Sequence, residues 1–333
     1  MKKFLLLCVS IFLTPVFASA ATTISSNITT NQTWTTASST FIITADISIA
    51  SGVTLTINPG VIVKFNGTSI TVNGTLNAPG TATSSIYFTS YHDDSVGGDT
   101  NGNGSASTPA AGNWGGIITN PGASTTLVYA EVRYGGNSFF SSFKNAGGIV
   151  TLANTTFATT GASWAPAFDH KLGTTTITSC TFQNGYYGIY VENTSPSAGV
   201  LTIASSTFST GNYGIYSAGV STLSIASSTF TQYSNYGLYT ERNPILSLTN
   251  SSFATNTVGA ITFTNGNPTS FTHSANKAWG NGMNGILIAN PYISVNQTWF
   301  GDTIPYVISG TLNVSAGYTL TIATSSVLKF NSG

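Results

Sequence analysis

Between Ile149 and Phe263 one apolar-polar phrase returns five times: Leu-Ala-Asn-Thr-Thr-Phe157, Ile-Thr-Ser-Cys-Thr-Phe182, Ile-Ala-Ser-Ser-Thr-Phe208, Ile-Ala-Ser-Ser-Thr-Phe230 and Leu-Thr-Asn-Ser-Ser-Phe253. The phenylalanines are spaced by 25, 26, 22 and 23 residues. A second phrase follows three of them: Gly188-Ile189-Tyr190, Gly214-Ile215-Tyr216 and Gly237-Leu238-Tyr239, with Gly259-Ala260-Ile261 in that place in the last copy. Short alternating stretches such as Val200-Leu201-Thr202-Ile203 lie between the phrases, and alternation at period two marks strands with one buried face. No stretch after the first twenty residues shows a helical period with caps. Each unit therefore holds two or three short strands.

A unit this small cannot bury its apolar face alone. Stacking on a like neighbour sets Phe over Phe and Ile over Ile and gives every strand a parallel partner. The expected fold is all-β: a right-handed parallel β-helix of about eleven coils, with an N-terminal cap near residues 21–45 and a protruding loop at 91–112. A leucine-rich repeat would show a regular Leu-x-x-Leu-x-Leu phrase, and a propeller would need roughly 40 residues per blade. The residue three before each phenylalanine is Asn154, Ser179, Ser205, Ser227 or Asn250, a turn column in which Asn tolerates left-handed backbone. Cys180 aligns with Ser206, Ser228 and Ser251 and is expected to be a small buried stacker.

These phrases resemble the right-handed parallel β-helix, or pectin-lyase-like, superfamily. The N-terminal half also resembles repeat modules of bacterial secreted and cell-surface proteins, through Gly52-Val-Thr-Leu-Thr-Ile-Asn-Pro-Gly60, Asn73-Gly-Thr-Leu-Asn-Ala-Pro-Gly80, Asn113-Trp-Gly-Gly-Ile117 and Glu131-Val-Arg-Tyr-Gly-Gly136. The superfamily mixes lyases, hydrolases, adhesins and structural proteins, so the resemblance implies a fold far more than an activity. The paired-Asp, Gly-His-Gly and Arg-x-Lys phrases of pectin-degrading hydrolases are absent, as are the basic residues of pectate lyases.

A longer period is superimposed. Asn31-Gln-Thr-Trp34 recurs as Asn296-Gln-Thr-Trp299, Leu55-Thr-Ile57 as Leu320-Thr-Ile322, and Lys64-Phe-Asn66 as Lys329-Phe-Asn331, all at an offset of 265. The expected division is a signal peptide at 1–20, a β-helix module at 21–291 and the start of a second, truncated module at 292–333. The chain then reads as the opening or a fragment of a longer protein.

Lys2 and Lys3, the apolar run from Phe4 to Phe17 and the small residues Ala18-Ser19-Ala20 have the three parts of a secretory signal. The apolar run is shorter than the ~20 residues that span a bilayer. Export to the cell surface or medium is therefore expected, with no membrane span after processing. Without residues 1–20 one cysteine remains, Cys180, so no internal disulfide can form. Charged residues make up 5 % of the chain. Its two arginines, Arg133 and Arg242, lie far apart in sequence, and no Lys/Arg cluster exists to bind nucleic acid.

Three groups of residues carry candidate chemistry. Asp93, Asp94, Asp99, Asn101 and Asn103 lie in one Gly-rich loop and could supply oxygens to Ca²⁺, although the pattern lacks the closing Glu and flanking helices of an EF-hand. Glu192 and Glu241 fall in one column two coils apart, roughly 10 Å at ~4.8 Å per strand, with Asp169 and His170 near Glu192. A glycosidase would need such a carboxylate pair. Tyr190, Tyr216 and Tyr239 form an outward aromatic column that either meets sugar rings or simply stacks upon itself. Trp114 and Trp164 cannot be oriented, and His273 has no visible partner. The main expectation is an adhesin-like or glycan-binding structural module without its own catalysis. The alternative is a polysaccharide lyase or glycoside hydrolase working in the lateral groove.

Overall fold

The computed structural model describes residues 21–331 apart from 39, 138–140, 162–163, 193–198, 220–221, 242–244 and 265–269. The signal-like segment and Arg242 lie outside the described residues. Among the described residues there is no α-helix, only one short 3-10 turn at Thr36–Ser38, and so no helix long and apolar enough to cross a membrane. The strands form three parallel walls that coil about one axis.

The first wall is built on the phenylalanine column. Its in-register inward positions are Thr22, Phe41, Val63, Phe88, Val132, Phe157, Phe182, Phe208, Phe230, Phe253 and Ala278, which makes eleven rungs. From Phe157 to Phe253 the rings stack face to face, with centroids 4.9, 4.8, 4.6 and 4.8 Å apart and planes within 10°. That spacing matches the ~4.8 Å between hydrogen-bonded strands, so the backbone ladder and the aromatic stack reinforce each other. All five rings are fully buried. The expected cap at 21–45 is replaced by regular rungs: Thr22–Ile24 already pairs with Phe41–Ile43, because Phe41 and Ile43 continue the buried pattern of later coils.

Two bends with positive φ bracket each short phenylalanine strand. The first column is Tyr129, Asn154, Ser179, Ser205, Ser227, Asn250 and Ala275, and the second is Tyr134, Thr159, Asn184, Thr210, Gln232 and Thr255. The first was expected at Asn and Ser. The second mixes Tyr, Asn and Gln with three β-branched threonines at φ of 50–55°, which is strained backbone for such residues.

Just inside the first bend runs a buried polar ladder. The backbone N–H groups of Cys180, Ser206 and Ser228 donate to the hydroxyls of Ser206, Ser228 and Ser251, at 3.1, 3.2 and 3.1 Å. Each hydroxyl in turn donates to the carbonyl two residues back, at Ala204, Ala226 and Thr249. Cys180 is buried in this ladder, its Sγ 3.4 Å from the Thr178 carbonyl, and burial raises the thiol to about 11. It is an inert stacker, as its alignment with serine implies.

A second wall carries the aliphatic column Leu127, Leu152, Ile177, Ile203, Ile225 and Leu248, continued by His273. The third wall carries Ile117, Phe143, Phe168, Ile189, Ile215, Leu238, Ile261, Ile286 and Tyr306. The third wall continues in register into residues 306–331, while Tyr292–Ile293 with Asn313–Val314 and Gln297–Trp299 with Leu320–Ile322 form separate two-stranded parallel sheets. There the 265-residue offset is a repeat of geometry. Trp34 stacks on Phe41 at 4.4 Å and Trp299 on Tyr306 at 4.9 Å. Asn31 accepts from the Thr54 N–H as Asn296 does from that of Thr319, both at 2.9 Å. His273, expected to be structural, sits between Asp302 (3.1 Å from Nδ1) and the Tyr306 hydroxyl (2.5 Å from Nε2), tying this segment to the coil before it.

The phenylalanine stack should dominate stability. Phe208→Ala removes a ring held between two others and is expected to cost about 3–5 kcal/mol, read by denaturant unfolding. Cys180→Ser, which only extends the hydroxyl ladder, should leave the unfolding midpoint unchanged or slightly raised.

Candidate functional site

Register on the third wall fixes which side chains face outward together. Beside the buried column runs the sequence Ile118, Lys144, Asp169, Tyr190, Tyr216, Tyr239 and Thr262 on successive rungs. A second outward column, Tyr187 and Tyr213, lies parallel to it, with Tyr236 two residues before Leu238 on the next rung. In each Tyr-x-x-Tyr phrase the two middle residues, such as Gly188 and Ile189, are buried and both tyrosines are half-buried.

The tyrosines stack mainly upon one another. Tyr190 and Tyr216 lie 5.7 Å apart, and Tyr216 and Tyr239 4.6 Å apart, with planes at 23° and 16°. Tyr187 and Tyr213 do likewise at 5.6 Å. All are half-buried. The column thus offers ring edges and hydroxyls to solvent, and few free faces. Tyr216 donates to Glu241 at 2.6 Å, and Tyr239 lies 3.4 Å from the same oxygen.

At the Lys144 end of this tyrosine face lies a cleft of about 580 Å³, lined by Lys144, Trp164, Asp169, Tyr187, Tyr190 and Glu192 among others. Lys144 Nζ donates to Asp169 at 2.8 Å and also to Glu192. Lys171 adds a second ammonium 3.5 Å from Glu192. Trp164 stands at the lip, 69 % exposed, its ring 4.6 Å from Tyr186 and tilted by 50°. It is the aromatic group here with a largely open face. Trp114, by contrast, is wholly buried and stacked on Phe65 at 4.1 Å.

Burial raises the Asp169 carboxyl to about 7 despite Lys144, helped by the neighbouring Glu192. Burial also works against ionised Glu192, but hydrogen bonds from Asp169 and Lys144 outweigh it and hold Glu192 below its ordinary range. For Lys144 burial is likewise overcome, here by the two acids, and the ammonium is held above its usual value. Asp169 Oδ1 is buried with no donor from another residue. The cluster is therefore a pair of coupled carboxyls, one with its pKa raised and one with it lowered, both bonded to Lys144.

The sequence columns are only partly brought together. Register does place Glu192 and Glu241 in one column two rungs apart, through Val191, Ser217 and Thr240. Yet Glu192 is held by Lys144 and Lys171, whereas Glu241 is held by Tyr216 and Tyr239. The partner of Glu192 is Asp169. His170, one residue on, points inward, donor-acceptor paired with the Thr175 hydroxyl at 3.0 Å and lowered by burial to about 4. Lys144 escaped the sequence reading although the 25-residue offset between Phe157 and Phe182 also relates it to Asp169, because its coil lacks the Gly-Ile-Tyr phrase that marked this column.

The loop at 91–112 lies over the outside of the phenylalanine wall. Lys64, fully buried, points out of that wall and donates to the Gly98 carbonyl at 2.7 Å. Burial lowers Lys64, and Asp94, Asp93 and Asp99 partly offset that. Asp93 accepts from the Thr89 hydroxyl at 2.6 Å and lies 4.0 Å from Arg133. Asp99 accepts the backbone N–H groups of Gly102, Asn103 and Gly104, which lower its pKa. Asn101 and Asn103 both donate to the Ser107 hydroxyl. Asp94 Oδ1 alone among these acids is buried without a hydrogen-bond partner. Among the described residues no three His, Cys, Asp or Glu side chains form a metal-holding group, so an ion here would also draw on amide and backbone oxygens.

A family signature described as a right handed beta helix region matches residues 116–298. No protein of curated function matches the chain in sequence. Among solved structures the chain is similar to a polygalacturonase from Erwinia carotovora ssp. carotovora, at 13 % identity over 98 % of this chain and 99 % of that one, with a TM-score of 0.48. It is also similar to the periplasmic alginate epimerase AlgG, at 12 % identity over 88 % and 77 % of the two chains, with a TM-score of 0.45.

The acid pair yields a pH prediction. Between about pH 4 and about pH 7 the folded chain keeps a proton at Asp169 that the unfolded chain has released, so this group's contribution to stability falls as pH rises through that window. Buried His170 acts in the opposite sense over nearly the same range. Subtraction isolates the first effect: Asp169→Asn should gain melting temperature relative to the unaltered chain as pH rises from about 4 to about 7. A constant difference would place the Asp169 proton elsewhere.

Proposed function

We propose that this chain, which belongs to the right-handed β-helix family, is an exported structural and interaction module that binds polysaccharide along its tyrosine-lined lateral face. One observation carries this reading. A cleft of about 580 Å³ opens beside a largely free indole face, Trp164, and runs on into a comb of tyrosine hydroxyls ending at Glu241. Saccharide sites pair apolar ring contact with a few placed polar groups, and this face supplies both. Export rests on Lys2, Lys3, the apolar run to Phe17 and Ala18-Ser19-Ala20.

The electrostatics favour binding over catalysis. A glycosidase needs its two carboxylates on either side of the scissile bond, with roughly 5–10 Å between them. Asp169 and Glu192 instead both accept from one lysine, Lys144, on the same spot. A lyase needs a base, and Lys144 is held charged by its acids. The catalytic alternative retains one favourable feature, an acid near neutrality at Asp169, where general acid-base catalysis works best. Release of reducing or unsaturated sugar ends, abolished by Asp169→Asn, would establish it.

Calcium is a separate part of the proposal. Asp94 Oδ1, buried and unpartnered in the 91–112 loop, supports a bound hard cation completed by Asp99, Asn101 and Asn103. Millimolar calcium is then expected to raise the melting temperature by a few degrees over EDTA, and Asp94→Asn to abolish the shift. Equal melting in both buffers removes calcium from the account.

Polysaccharide binding is tested by affinity electrophoresis of the chain through gels that each contain one polysaccharide. Retardation in at least one gel is expected. Trp164→Ala should weaken that binding about tenfold, the cost of truncating one aromatic anchor, without changing the melting temperature.

A further inference from the structure

Resting on the reading of this face as a saccharide site, we propose that Ser141 and Asp169 are the polar groups of one subsite in the cleft, where they bind the hydroxyls of a pyranose ring whose apolar face lies on Trp164. Both residues line the cleft, and both are buried, at 5 % and 6 % exposure. Ser141 Oγ and Asp169 Oδ1 are nonetheless without a hydrogen-bond partner. Other buried atoms in that condition, such as the hydroxyls of Ser217 and Thr240, belong to fully buried residues away from the cleft.

The backbone holds both groups in place. The Ser142 N–H donates to the Pro166 carbonyl at 3.2 Å, and the Ser142 carbonyl accepts from the Ile117 N–H at 3.0 Å. The chain beside Ser141 is thus fixed between two neighbouring rungs. Asp169 pairs in register with Lys144 on one rung and Tyr190 on the other, and Lys144 Nζ holds its Oδ2 at 2.8 Å. Oδ1 is left over. Glu192, the acid beside it, is held below its ordinary range and has no proton to give at neutral pH. Above about pH 7, where Asp169 ionises as well, neither carboxylate can donate to the other.

A buried polar group without a partner costs stability. On the wall of a cleft it is satisfied by donors and acceptors that enter from outside. A pyranose ring has an apolar face and a rim of hydroxyls, each able to donate and accept. One hydroxyl gives its proton to Asp169 Oδ1, and another bonds Ser141. Trp164 at the lip, 69 % exposed, supplies the apolar platform. The cleft volume of about 580 Å³ falls within the roughly 300–1,000 Å³ of small-molecule sites. One sugar is therefore held in a concavity, and the rest of the polymer lies along the tyrosine columns.

The experiment is affinity electrophoresis of the full chain at pH 8, in gels that each hold glucan, galactan, mannan, polygalacturonate or alginate, with thermal melting of the same variants. Ser141→Ala is expected to weaken retardation about fivefold, the loss of one hydrogen bond. Its melting temperature should stay equal or rise, because the hydroxyl it removes has no partner in the fold. Asp169→Asn is expected to weaken retardation about tenfold. Its amide oxygen stays toward Lys144, so the NH₂ replaces Oδ1 and presents a donor where the sugar needs an acceptor. Retardation unchanged in both variants while Trp164→Ala weakens it overturns the subsite and leaves the saccharide face intact. A Ser141→Ala variant that loses retardation only in step with a fall in melting temperature assigns Ser141 to the fold, and also overturns the subsite. Retardation by no polymer overturns the saccharide reading itself, and the subsite falls with it.

Discussion

Parallel strands in register repeat every outward and inward side chain at the strand spacing, and the whole molecule follows from that repetition. Phe157 to Phe253 stack at 4.6–4.9 Å because the backbone ladder already sets that distance. No disulfide helps, since Cys180 is the one cysteine after the signal-like segment and is a buried member of the serine ladder. A chain with so few charges gains its order from identity between neighbouring coils. Each ring from Phe157 to Phe253 stacks on a like ring, and the N–H groups of Cys180, Ser206 and Ser228 each find the hydroxyl of the next coil.

The same rule builds the lateral face. Where successive coils repeat Tyr-Gly-Ile-Tyr or a close variant, outward tyrosines fall into columns and stack. Where the repeat is broken, unlike residues come together. Lys144 and Asp169 lie opposite each other on adjacent rungs, and Glu192 reaches the same place from the next coil. Departure from the repeat thus produces the titratable cluster and the cleft. Chemistry sits where stacking fails to be self-similar.

The parts legible in the sequence are those that repetition writes in plain letters. The phenylalanine period gave the rungs, Asn154 through Asn250 marked a left-handed bend, and alignment with serine identified Cys180 as structural. The second bend escaped notice, because three threonines, which disfavour left-handed backbone, hold that conformation beside Tyr134, Asn184 and Gln232. The partnership of Lys144, Asp169 and Glu192 was equally hidden. Lys144 sits 25 residues before Asp169, the same offset as Phe157 to Phe182, but on a coil without the Gly-Ile-Tyr phrase that made the column visible. Trp114 and Trp164 look alike in sequence, and only their neighbours set one in the core and the other at the lip of the cleft.

Cross-linking tests the stacking of coils most directly. Cys180 and Ser206 occupy the same position on adjacent rungs, with the Cys180 N–H 3.1 Å from the Ser206 hydroxyl, and Ser228 lies one rung further. Cα separations of one strand spacing suit a disulfide, and twice that distance does not. Refolding of the denatured Ser206→Cys variant in an oxidising glutathione buffer should therefore give a disulfide-linked peptide pair containing Cys180, and the Ser228→Cys variant should give none. The reverse pattern, or equal yields from both variants, would contradict the stacking order on which the face, the cleft and the proposed function all stand.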